Sequence, residues 1–111
     1  MRFKFRHWDK RINKMFYPER NDNFGYYVNN SDIIETMQCT GLQDKNGKLI
    51  YEGDVVKDDH EALHQVKWCY NCFELYPLFK NGYTIGIVND EIEVIGNIYE
   101  NSELLEVENE R

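Results

Sequence analysis

Residues 37–57, MQCTGLQDKNGKLIYEGDVVK, decide the fold. Asn46-Gly47 lies between two strand-forming runs and suits the two positive φ angles of a type I′ hairpin turn, with Lys45 and Lys48 flanking it. Leu49-Ile50-Tyr51 then leads into Glu52-Gly53-Asp54, and Val55-Val56 opens a further strand. Gly53 lets the backbone bend, and the Asp54 carboxylate can accept from the amides that such a bend exposes.

Working outward, residues 65–69 and 73–79 read as an antiparallel pair, with Val66 and Trp68 alternating inward. Residues 83–88 and 92–99 supply two more strands, and residues 101–104 a cap and one turn of helix. Gly followed by Asp and two β-branched residues is common where the first long strand of an SH3-like barrel begins. Upstream, residues 2–6 alternate charged and aromatic side chains, a period of two that marks a strand. Met15-Phe16-Tyr17 can return beside it before Pro18 stops the pairing. Residues 19–31 read as a loop broken by a short strand at Tyr26-Tyr27-Val28, and residues 32–37 as a helical turn capped by Ser31. The expected fold is therefore mainly β: an N-terminal β-hairpin and connecting loop (1–36), then an SH3-like β-barrel with a short C-terminal helical turn and acidic tail (37–111), with little helix. The expected core is Leu42, Ile50, Val55, Val66, Trp68, Phe73, Leu75, Ile85, Ile87, Val94, Ile95 and Ile98.

Three segments carry a family resemblance: TGLQDKNGKLIYEGDVV (40–56), the strand at Val66 and Trp68, and EVIGNIYENSELL (93–105). Together with the opening FKFRHWDKRINKMFYPE (3–19), they resemble the YopX family of small phage and prophage proteins. Ser102 stands where that family usually has Pro, which leaves the cap but removes the preset φ. The resemblance implies a phage or prophage setting and names no reaction.

The chain has 111 residues, one domain's worth, and 14% of them are aromatic, enough large side chains for one core. No apolar run is long enough for a transmembrane helix, and the charged start lacks a signal-peptide core, so a cytoplasmic location in the bacterial host is expected. Three cysteines in such a compartment are expected as free thiols. The net charge of −7 disfavours generic binding to nucleic-acid backbones. Its distribution is uneven: residues 1–20 carry +5 (seven Lys/Arg, two Asp/Glu) and residues 89–111 carry −7 (one Arg, eight Asp/Glu).

Candidate chemistry is sparse. His60, His64, Cys69 and Cys72 have zinc-compatible identities, but their spacing is not that of a familiar finger, and plain thiols in a hairpin are the preferred reading. A Cys39–His7 pairing is conceivable only if the fold brings the two together. Two serines stand outside any nucleophile-elbow motif, acidic pairs fall in turns, and phosphate-cradling glycines are absent. The expectation is a non-catalytic protein without cofactor or metal, acting on a protein partner of host or phage. The candidate interaction surface is the basic, aromatic hairpin: Arg2, Lys4, Arg6, Trp8, Lys10, Arg11 and Lys14. Its cations and aromatics also make nucleic-acid binding the first alternative, and a small metal-binding protein the second. Phe3, Phe5 and Trp8 would leave an apolar patch on a lone chain unless the barrel covers them, which favours a homo-oligomer.

Overall fold

The computed structural model describes residues 4–18, 23–69, 72–79, 84–87 and 91–105. Among the described residues, strands and a short helix follow in chain order: β1 (Phe5–Asp9), β2 (Lys14–Phe16), α1 (Phe24–Asn29), β3 (Ile34–Gln43), β4 (Leu49–Tyr51), β5 (Asp54–Lys57), β6 (Leu63–Cys69), β7 (Cys72–Pro77), β8 (Ile85–Gly86) and β9 (Glu93–Asn97). They form two antiparallel sheets, ordered β2-β1-β3-β4 and β8-β7-β6-β5-β9. The mainly β class expected from the sequence holds, and the arrangement is consistent with a small β-barrel.

The N-terminal hairpin is present but shifted along the chain. β1 begins at Phe5 and runs through His7 and Trp8, with His7 opposite Phe16 and Asp9 opposite Lys14. It is an interior strand, because β3 pairs along its other side from Phe5↔Gln38 to Asp9↔Ile34. That pairing overturns the helical turn expected at residues 32–37. A ladder partner satisfies every second amide over the whole stretch, whereas one Ser31 cap would have satisfied a single one. The division read at residues 36 and 37 falls inside β3.

The short strand expected at Tyr26-Tyr27-Val28 is instead α1. A strand would send Phe24 and Tyr27 to opposite faces; a helix brings residues three apart to the same side. Both rings then cover β1. Phe24 lies 4.7 Å from Phe5 between ring centroids, and Tyr27 stacks on His7 at 3.8 Å with planes 7° apart. Arg6 and Trp8 leave the opposite face of β1, toward the second sheet, where an Arg6–Asp54 ion pair and a Trp8–Tyr99 stack receive them.

The turn at residues 44–48 is a hairpin of another type. Gly47 has φ +84°, but Asn46 is not left-handed. Gly47 N donates to Asp44 O, and Asp44 N donates to Lys48 O. This is a three-residue loop closed by a glycine bulge, rather than a type I′ turn. The reason is Asp44. It is 6% exposed, and its Oδ1 accepts from the amides of Asn46 and Lys48 while Oδ2 accepts from Val94 N in β9. Gly53 and Asp54 behave as read: Gly53 has φ +89°, and Asp54 Oδ2 accepts from Tyr51 N at 2.7 Å.

The core cluster joins Ile50 of the first sheet to Val56, Val66 and Leu75 of the second and to Ile92, with Phe73, Ile87 and Val94 packed around it. Four expected core residues lie outside. Leu42 follows a register shift in β3 near Gly41 (φ +82°), and Ile85 sits on the two-residue edge strand β8. Ile95 points away from the core, and Trp68 overhangs the end of β6 with 49% of its surface exposed. The interior instead takes Trp8 and Ile34 from the segment read as hairpin and linker, and Met37 and Cys39 from the start of the segment read as barrel.

Candidate interaction groove

The two sheets do not meet along their whole length. Between β3, the β4–β5 turn, the end of β6 and residues 98–99 lies an open groove of about 260 Å³. Its floor is apolar, from Met37, Val66 and Ile98; its rim carries Glu35, Glu52, Lys67, Trp68 and Tyr99. The β4–β5 turn makes this shape possible. A Cβ on Gly53 would strain the backbone at φ +89° and press on Met37 Sδ at 3.1 Å, so the turn favours glycine.

Each rim side chain is placed by identifiable contacts. Tyr99 is stacked on Trp8, centroids 5.6 Å apart, which fixes one face of its ring. Burial raises the Tyr99 hydroxyl pKa, and the negative charges of Glu35 and Glu52 raise it further. Trp68 meets Phe73 edge-on at 4.7 Å, so its indole is oriented although half of it lies in water. Lys67 reaches away, its ammonium 4.6 Å from the centre of the Tyr76 ring. Glu35 pairs with Lys10 at 2.9 Å, with both side chains more than two-fifths exposed.

Beneath the groove, the buried polar groups are committed to the scaffold. Arg6 Nη2 meets Asp54 Oδ1 at 2.8 Å and donates to Glu52 O, with both side chains 3% exposed. Burial pushes the Asp54 carboxyl above its ordinary pKa, against the pull of Arg6. His7 Nδ1 lies 2.8 Å from Thr36 Oγ1, and burial lowers its pKa. The candidate Cys39 partner of His7 instead has its sulfur accepting from Gly41 N.

The basic hairpin proves largely self-occupied. Arg6 and Trp8 are buried. Lys10 pairs with Glu35, Arg11 pairs with Asp9, and Lys14 lies over Phe16, while Lys4 is exposed. Arg2 lies outside the described residues. Of the apolar patch expected on a lone chain, Trp8 is covered by Tyr99 and Phe5 by Phe24; Phe3 is outside the described residues. The zinc-compatible set does not converge: among the described residues no group of three or more such side chains could hold a metal ion. His64 Nε2 is spent on Asp58 at 2.9 Å, and His60 is exposed beside Asp59. Cys69 and Cys72 face one another across β6 and β7, where the Cys69 sulfur accepts from Tyr76 and the Cys72 thiol donates to Cys69 O. All three cysteines are free thiols.

The groove was missed in the sequence because Trp68 keeps the strand alternation of a core residue. Nothing in its neighbours signals that the second sheet ends there.

Fold and site thus define a small mainly β protein of two antiparallel sheets with an open, aromatic-rimmed groove between them. The chain belongs to the YopX family, whose profile (YopX protein) matches residues 18–106. It resembles the crystal structure of protein EF1440 from Enterococcus faecalis, with a TM-score of 0.67 and 23% identity over 95% of this chain and 99% of that one. It also resembles protein yopX from Bacillus subtilis, with a TM-score of 0.59 and 21% identity over 92% of this chain and 95% of that one. At these identities the likeness concerns the fold. No curated protein matches the sequence. Among the described residues no helix is long and apolar enough to cross a membrane.

Proposed function

We propose that this chain is a non-catalytic accessory protein of a phage or prophage, working in the host cytoplasm by binding another protein. One observation carries the reading: Trp68, oriented by Phe73 and 49% exposed, stands at the rim of a groove with an apolar floor. A large aromatic left in water beside a depression with apolar side chains at its base is a frequent anchor of a protein interface. The buried titratable groups support it, since Arg6 is paired with Asp54 and His64 with Asp58, although Arg6 Nε and His64 Nδ1 are left without a hydrogen-bond partner. Membership of the YopX family supports the phage setting.

The test is affinity capture from phage-infected cells with wild-type protein and Trp68→Ala. The substitution should leave a folded protein, about 1–2 kcal/mol less stable, because half of the indole is already in water. A host or phage protein held in stoichiometric amount by wild type and released by Trp68→Ala supports the reading. Capture that ignores Trp68 refutes it.

A further inference from the structure

We propose that the groove is a receptor for a single arginine side chain presented by the partner protein; this rests on the interaction reading above and adds the chemistry of the ligand. The size is the first argument. A depression of about 260 Å³ lies below the usual range of small-molecule sites, yet it holds one long side chain.

The lining is the second argument. Met37, Val66 and Ile98 form a floor on which an alkyl stem can lie. Trp68 and Tyr99 flank it, and the far face of Tyr99 is already taken by Trp8. Aromatic faces attract a guanidinium, which is planar and weakly hydrated. At the polar end stand Glu35 and Glu52, and a carboxylate can accept two parallel N–H bonds from arginine's fork.

Charge is the third argument. The groove has one ammonium of its own, Lys67, and that is drawn off over Tyr76. Lys10 contacts Glu35 through an exposed ion pair, which salt screens and an incoming guanidinium can share or displace. Glu52 Oε1 accepts a long bond of 3.4 Å from Gln38 N, a weak tie that turning toward a ligand can break. Two carboxylates therefore face the groove, in a chain whose net charge is −7.

The probe is N-acetyl-arginine N-methylamide, compared with its citrulline counterpart, which has the same shape and no charge. Amide shifts of full-length, isotope-labelled protein should move at Met37, Gly53 and Tyr99 and at the Trp68 indole, saturating in the millimolar range. Citrulline should bind at least tenfold more weakly. Glu35→Gln and Glu52→Gln should each weaken the arginine probe severalfold, whereas Glu91→Gln, at an exposed residue away from the groove, should not. Equal binding of both probes, or no movement at these positions in the wild type, overturns the inference without any variant. In the capture experiment, release by Trp68→Ala together with retention by Glu35→Gln/Glu52→Gln would sink the arginine site while sparing the interaction reading. Retention by every variant would sink both.

Discussion

Replacing Arg6 by Met keeps the bulk of the side chain and removes its charge, and the consequence follows from the burial of its partner. Asp54 is left 3% exposed with the Tyr51 amide as its remaining donor. Removing one member of such a pair costs about 3–5 kcal/mol, because the other charge stays buried without compensation. A domain of this size is stable by only about 5–15 kcal/mol, so the loss is about a fifth of the total or more. Asp54→Asn added to Arg6→Met removes the stranded charge and keeps an acceptor for Tyr51 N, so the double variant should recover about 2 kcal/mol. The pH dependence has a definite sign. Asp54 titrates above its unfolded value, and losing Arg6 raises it further. Its contribution is then fully present below the unfolded pKa and is lost as pH rises through the folded one. The Arg6→Met penalty should therefore be smallest in acid and grow toward neutrality. Urea unfolding of the four proteins of the cycle, followed by far-ultraviolet circular dichroism at several pH values, measures this directly. A single-variant loss under about 1 kcal/mol, or a double variant no more stable than Arg6→Met, would refute the reasoning.

Asp44→Asn should cost about 1.5–3 kcal/mol, because an amide cannot accept all three backbone bonds made by this carboxylate. Burial raises the Asp44 pKa, but the amides of Val94, Lys48 and Asn46 outweigh it and the net shift is downward. That stabilisation is present above the unfolded pKa and lost as pH falls through the folded one, so the variant's acid unfolding limb should be flatter than wild type. Gly96→Ala should destabilise by about 1–3 kcal/mol, seen as a lower urea midpoint, since a Cβ there would collide with the Asn101 side chain. Deleting residues 1–18 should abolish the cooperative thermal transition, because β1 lies between β2 and β3 and supplies Arg6.

The residues that could be read from the sequence were those whose role is local. Gly53 and Asp54 act within a few positions of one another, and the β6–β7 pair alternates over a short span. Roles set at long range were misread. Asn46-Gly47 has type I′ chemistry, but Asp44 reaches fifty residues onward to Val94 and selects another turn. Tyr26-Tyr27-Val28 has strand propensity, yet the rings of Phe5 and His7 reward helical spacing. Arg6 looked like a surface cation because its partner, Asp54, lies in the other sheet. Trp68 carries the periodicity of a core residue, and no local signal marks where its sheet runs out. The groove assembles from four segments distant along the chain, so its residues share no spacing.

The position of β9 governs how the protein can be made. It comes last in sequence among the described strands, yet it lies along β5, with Val55 opposite Gly96 and Val56 opposite Val94. Until residue 97 has left the ribosome, β5 has an open edge beside two side chains that the finished fold hides completely. The Asp44 carboxylate waits equally long for its third donor. Non-local closure of this kind is slow, and it places completion of this sheet after β9 has emerged. A nascent chain halted before β9 would offer β5 to any neighbouring chain, so premature termination should yield aggregates rather than a smaller folded protein.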